Sequence, residues 1–170
     1  MPDRASTAKL AAGMEQIKAQ LAAELKGLER EFRVELPREI KTAVAMGDLR
    51  ENAEYHAALE RQAFVRARIM QLRERLGALN AIDLDQIPRD RVGLGSSVKL
   101  LDLDNDQEVS YELVVPEMAN PEKGQLSIAS PIGKSLVGKR EEDEIKIETP
   151  AGHKNFELLE LVTIHQKDQN

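Results

Sequence analysis

The residues best suited to chemistry are two carboxylates three positions apart, Asp48 and Glu51, in the run Met46-Gly47-Asp48-Leu49-Arg50-Glu51-Asn52. At a helix start this spacing turns both groups the same way, and Glu54 lies one further turn along. Two readings follow. In the first, Asp48 caps the helix and Glu51 reaches back to its amide, a capping box that contributes about 1 kcal/mol and involves no metal. In the second, the pair serves a metal. Two carboxylates are too few for a closed cage, but Mg²⁺ is commonly held by one or two carboxylates with waters and substrate phosphates. On spacing alone the capping box is favoured, since most D-x-x-E pairs merely start helices. In the second, the pair completes a metal site belonging to another macromolecule and cannot build one alone.

Other reactive side chains offer less. There is no cysteine, which excludes disulfides, thiolate zinc sites and cysteine nucleophiles and fits a reducing compartment. His56, His153 and His165 have neither an i, i+4 pair nor acidic companions at zinc spacing. Ser96, Ser97, Ser130 and Ser135 lack a nucleophile elbow, and Gly93-Leu94-Gly95 lacks the third glycine of a dinucleotide fingerprint. No self-sufficient active site is expected.

The elements that must carry the acidic pair are legible in the apolar spacing. Tyr55, Ala58, Gln62, Val65, Ile69, Leu72, Leu76 and Leu79 alternate in steps of three and four, a heptad seam. Upstream, Leu10, Met14, Ile17, Leu21, Leu25, Leu28, Phe32, Leu36, Ile40 and Val44 form a second stripe, whose later four-residue steps drift around a helix. Pro37 lies inside that stripe and is expected to kink or break it. With Gly47 as a stop between the stripes, an antiparallel helical hairpin is the economical arrangement, each arm about 45 Å long at 1.5 Å rise per residue. Arg61, Arg68 and Arg75 then fall at position g of the heptad, and Arg66 and Arg73 at e. Those positions flank the seam, so pairing with Glu15, Glu24, Glu29, Glu31, Glu35 or Glu39 is favoured over a phosphate-binding stripe.

Beyond residue 80 the grammar changes. Residues 1–80 hold 14 basic and 12 acidic side chains, whereas residues 81–170 hold 10 and 18. Residues 81–94, with Pro88 and Gly93 and no period, read as a linker. Strands are expected at 97–103, 109–115, 125–129, 144–149 and 155–164, and one short helix at 131–137 with Ser130 as cap and Pro131 at its first position. The expected fold class is α+β: a coiled-coil hairpin over 1–80, a linker over 81–94, and a small antiparallel-sheet domain over 95–170.

Composition bounds the partners. The net charge of −6 and pI near 5.2 argue against a polyanion-binding field over the whole protein. Aromatics make up 3% and tryptophan is absent, too little for a base-stacking platform. Apolar runs are far shorter than a membrane span, and Met1-Pro2-Asp3-Arg4 does not open a signal peptide, so a soluble cytoplasmic protein with no membrane partner is expected.

The twelve residues Gly47-Asp48-Leu49-Arg50-Glu51-Asn52-Ala53-Glu54-Tyr55-His56-Ala57-Ala58 resemble the hairpin-tip signature of the bacterial Gre transcript-cleavage factors. Further pieces match in order: Asp102-Leu103-Asp104, Tyr111-Glu112-Leu113-Val114-Val115, the run from Ser127 through Ser130-Pro131-Ile132-Gly133-Lys134-Ser135 to Lys139, and Thr149-Pro150-Ala151-Gly152. The resemblance covers essentially the whole chain. It implies an FKBP-like second domain that holds the rim of the secondary channel of bacterial RNA polymerase while the hairpin enters. It also implies that Asp48 and Glu51 help hold the second catalytic Mg²⁺, shared with the polymerase, which then cleaves the backtracked nascent RNA and frees its 3′ end. Tyr55 matches a tyrosine that contacts RNA or the active-site region, and Ser130-Pro131 the polymerase-attachment segment. The protein would have no cofactor of its own, would not itself be an enzyme, and would be a monomer. Val44-Ala45-Met46 and Leu59 stand where relatives often carry basic side chains, which implies weaker engagement of RNA. Two other readings remain: a channel-occupying regulator without cleavage, and a peptidyl-prolyl isomerase, for which the second domain's Tyr111 and Phe156 are a thin aromatic lining.

Overall fold

A computed structural model describes residues 5–169. Its contacts divide the chain into two units, one of residues 14–82 and one joining residues 5–13 to residues 83–169. This differs from the boundaries expected at residues 80 and 94. Ile87, Val92 and Leu94 are buried, and the Val92 amide and carbonyl bond Lys139 and Gly138, so the presumed linker belongs to the globular unit. An irregular segment can be core without showing any period, because its burial follows no regular face.

The first unit is a helical hairpin. One arm is α1 (Ala5–Arg30), a π-helical turn (Glu31–Glu35) and α2 (Leu36–Ala45), and the other is α3 (Ala53–Asn80). Leu36, Val65 and Ile69 form the buried centre, with Leu25, Leu28 and Phe32 packed against it. All eight positions of the predicted α3 seam are buried or half-buried. Across it, Arg61 pairs with Glu31, Arg68 with Glu24, and Arg73 with Glu29. Rising numbers on one arm meet falling numbers on the other in the first two pairs, as antiparallel arms require. Arg66 instead lies over the Phe32 ring, 5.5 Å from its centre.

Pro37 does not break the arm. It is the second residue of α2, and the backbone stays right-handed helical on either side of the π turn at Arg30, Glu35 and Leu36. The Leu36 amide donates to Glu31 five residues back, so the turn before the proline is wider than an α turn. The carbonyl four residues before a proline normally meets its ring; here that residue, Arg33, lies inside the widened turn. The same turn corrects the end of the stripe, where Ala43 is buried and Val44 is 46% exposed.

The globular unit holds β1 (Ser97–Asp102), β2 (Gln107–Val114), β3 (Gln125–Ser127), α4 (Pro131–Leu136), β4 (Glu144–Thr149), β5 (Gly152–Val162) and α5 (Ile164–Lys167). The sheet order is β3-β2-β1-β5-β4. It is mixed and not purely antiparallel as expected, since β3 runs parallel to β2. The segment between them makes two 3₁₀ turns, each with a proline at its start, and returns the chain to the same direction. α5 is a second short helix the periodicity did not reveal; four residues are too few to show one, and its signal is the Thr163–Gln166 capping box. Val98, Leu100, Leu113, Leu136, Ile145, Ile147, Phe156 and Leu158 make the core.

Asp168 ties the N-terminal residues to this unit. Its carboxylate accepts from the Ser6 and Thr7 amides at 2.8 and 3.1 Å and from the Thr7 hydroxyl. Burial alone would raise its carboxyl, but these bonds and nearby His165 outweigh it and hold it below the usual 3.8.

Leu36→Ala is expected to cost about 2–5 kcal/mol of hairpin stability, whereas Phe64→Ala, at a site 58% exposed, changes it by under about 0.5 kcal/mol, both read from thermal melts. The Arg68 and Arg61 hydrogen bonds hold Glu24 and Glu31 below the usual 4.5, burial opposing. A lowered folded pKa means the unfolded chain binds more protons, so this stability is present above the ordinary value and lost as pH falls through the lower one. Melting temperature should therefore fall modestly as pH drops below the ordinary carboxylate range, and less in Asp168→Asn, which starts lower and has no carboxylate to protonate.

Candidate functional site

Between α2 and α3 the chain reverses over residues 46–52. The Met46 amide donates to Ala43 and the Gly47 amide to Val44, closing the last turn of α2. Gly47 then takes φ +87°, the left-handed conformation that ends helices and that side chains with a Cβ resist.

The expected capping box is absent. Asp48 Oδ1 accepts from the Arg50 amide at 3.2 Å, an Asx turn, and not from the Glu51 amide. The cap of α3 is Asn52, extended at φ −81°, ψ 95°, whose Oδ1 accepts from the Tyr55 amide at 3.0 Å. Asn52 displaces Asp48 because an amide can cap and donate at once. Its Nδ2 reaches the Ala43 carbonyl at 2.7 Å and the Gly47 carbonyl at 3.3 Å. His56 Nε2 lies 3.1 Å from the Arg50 carbonyl and donates to it, as a carbonyl can only accept. Sequence reasoning passed over Asn52, although an asparagine three residues before Tyr55 is an ordinary cap signal.

Asp48 and Glu51 are thus brought to one exposed turn. Among the described residues, Glu51 has no partner for its carboxylate, and Asp48 uses one oxygen. No group of three or more histidine, cysteine or acidic side chains that could hold a metal occurs among the described residues. Tyr55 stands half-buried in the first turn of α3, its ring 5.7 Å from His56 and nearly edge-on. Exposed Val44, Met46 and Leu49 flank the acidic pair. Behind the turn, an open groove of about 580 Å³ between α2 and α3 is lined by residues of both signs, among them Arg38, Glu39, Glu54 and Arg61. That mixture gives a polyanion no preferred track.

Ser130 and Pro131 lie in the globular unit, at the start of α4. Ser130 Oγ accepts from the Gly133 amide at 3.0 Å and donates to the Ser127 carbonyl at 2.7 Å, so the serine is occupied in building the turn. Gly133 is required sterically, because a Cβ there would sit 2.1 Å from the Ser127 carbonyl oxygen. Pro131 and Val137 are left exposed.

Known proteins match both units. Residues 87–163 match the family model described as the C-terminal part of transcription elongation factor GreA/GreB, and residues 14–80 the one described as transcription elongation factor, N-terminal. The chain is 49% identical to a transcription elongation factor GreA of Helicobacter hepaticus, over 84% of this chain and 87% of that one. It is 46% identical to the GreA of Desulfotalea psychrophila, over 85% and 89%. A crystal structure of GreA factor homolog 1 of Thermus thermophilus aligns at 27% identity and TM-score 0.39, over 85% of this chain and 94% of that one, a score too low to carry weight for the fold. Two family models spanning the hairpin and the globular unit, with relatives near half identical over most of their length, place the chain in the GreA/GreB family of transcription elongation factors.

Proposed function

We propose that this elongation factor binds bacterial RNA polymerase through the polymerase's secondary channel and lends Asp48 and Glu51 to its active centre, so that the polymerase cleaves its own backtracked RNA. The observation that carries the proposal is the turn itself: two carboxylates, without an ion-pair partner among the described residues, held on the reversal between paired helices. Their donor set fits Mg²⁺ in part. Both offer hard carboxylate oxygens, and the number available matches the one or two such ligands that Mg²⁺ usually takes alongside phosphate and water. When bound, the metal shared with the polymerase lowers the pKa of a water and offsets charge at the phosphodiester.

The chain's own residues do the remaining work. Asp48 and Glu51 provide negative oxygens in a site where they are desolvated only on docking, so their effect is confined to the docked state. Tyr55, in the first turn of α3, would touch the RNA 3′ end or the surrounding active centre. Pro131, exposed beside the Ser130 cap, belongs to the attachment surface on the globular unit. The factor acts as a monomer in the cytoplasm and cleaves no RNA alone.

Asp48→Asn and Glu51→Gln should lower the rate of RNA cleavage in stalled complexes by on the order of 100-fold, with the half-saturating factor concentration nearly unchanged. Full cleavage by the double variant refutes the assignment. Pro131→Glu suits the first turn of a helix and should keep the fold, yet raise the half-saturating concentration about tenfold while leaving the saturated rate intact. Inhibition of synthesis by the wild-type factor without RNA shortening would favour a non-cleaving regulator.

A further inference from the structure

We propose that Asn52 is the positioning residue of the acidic turn: its single side-chain amide clamps the end of α2, the Gly47 corner and the start of α3, and so fixes where Asp48 and Glu51 stand. The proposal rests on the functional reading above and names how the pair is held.

Three bonds meet on this amide. Oδ1 receives the Tyr55 N–H at 3.0 Å, and Nδ2 gives its hydrogens to Ala43 at 2.7 Å and Gly47 at 3.3 Å. The side-chain orientation follows from the partners, since flipping the amide would set its oxygen against two carbonyls and its NH₂ against an N–H. Ala43 is 3% exposed and belongs to α2, Tyr55 belongs to α3, and Gly47 opens the turn. Asn52 therefore spans both arms and the loop, whereas the Asx bond from Arg50 to Asp48 acts only within the loop. The His56 contact to the Arg50 carbonyl at 3.1 Å braces the far side of the same loop. Without the Nδ2 bonds, the turn keeps Gly47, its backbone bonds into α2 and the Asx bond, but loses the side-chain tie from the start of α3 to the first arm. Groups bonded directly to metal-binding carboxylates commonly change affinity or activity by about 10–100-fold when removed; Asn52 acts on the pair through the backbone of the turn, so the lower end of that range is expected.

Capping and positioning can be separated. Asn52→Ser retains an oxygen to cap α3, at a site where serine and asparagine cap about equally well, but it cannot also span to the Ala43 and Gly47 carbonyls. Asn52→Asp keeps the shape and the cap and replaces the Nδ2 donor by an oxygen facing two carbonyls. For Asn52→Ser we expect a melting temperature near wild type, faster amide hydrogen exchange at residues 47–51, and a cleavage rate in stalled polymerase complexes reduced about tenfold with half-saturation unchanged and the Mg²⁺ midpoint raised. Asn52→Asp should fall at least as far; a rate at or above wild type would mean the side chain acts as an extra ligand and would overturn the proposal. Unchanged exchange at residues 47–51, or cleavage by Asn52→Ser within twofold of wild type while Asp48→Asn is inactive, also overturns it and leaves the functional reading standing. If Asp48→Asn cleaves normally, the functional reading fails instead, and the exchange rates alone decide whether Asn52 holds the turn.

Discussion

The two arms of the hairpin touch along a narrow apolar seam, and the placing of every tip atom depends on that seam's register. Leu25, Leu28, Phe32 and Leu36 face Val65 and Ile69, with little apolar surface behind them. Helices of this composition gain most of their stability from such packing and little from propensity. The first arm, however, steps from Leu28 to Phe32 to Leu36 to Ile40 in fours, and each step overshoots a 3.6-residue turn by about 40°. Left uncorrected, three such steps would carry the stripe well away from α3. The π turn at Glu31–Glu35 absorbs the excess, and the seam then resumes at Leu36 and Ala43. The four-residue steps and Pro37 look like two irregularities in the sequence, but one wide turn accommodates both.

Charge on the hairpin is arranged to the same end. Arg61, Arg68 and Arg73 are spent on glutamates across the seam, two of them with paired bonds from one guanidinium. These pairs are exposed and each adds little stability, yet they fix which residues of the two arms lie opposite. Each pair also offsets its own two charges at short range. Among the described residues, the carboxylates at the turn lack such partners and stay open to an approaching cation.

Much of this was legible before any coordinates. The α3 heptad, the arginines flanking it, all five strands to within three residues at either end and the Ser130 cap all follow from local rules, because each rule and the tertiary packing favour the same outcome. The failures have a common cause. The buried 87–94 segment, the parallel pairing of β3 and the docking of residues 5–13 through Asp168 depend on partners distant in sequence. At the turn, Asp48 and Asn52 were both plausible caps by type. What decided for Asn52 was its Nδ2, which finds the Ala43 carbonyl on α2 nine residues back as well as that of Gly47 in the turn, contacts that no helical periodicity displays.

The matching motifs divide into residues the fold consumes and residues it leaves over. In the α4 motif, Ser130 is committed to two hydrogen bonds and Gly133 to a close backbone approach, which explains both by packing, while Pro131 and Val137 are exposed. At the hairpin turn, Gly47 supplies a left-handed corner and Asn52 three bonds, while Glu51 and one oxygen of Asp48 engage nothing among the described residues. Gly47, Asn52, Ser130 and Gly133 have a structural reason for their identity whatever the protein does, as has Pro131 at the start of α4. Among the described residues, the Glu51 carboxylate and the second oxygen of Asp48 have none. A carboxylate pair left largely unengaged, on a corner that folding does fix, is the arrangement that the proposed loan of negative oxygens to a docked partner would need.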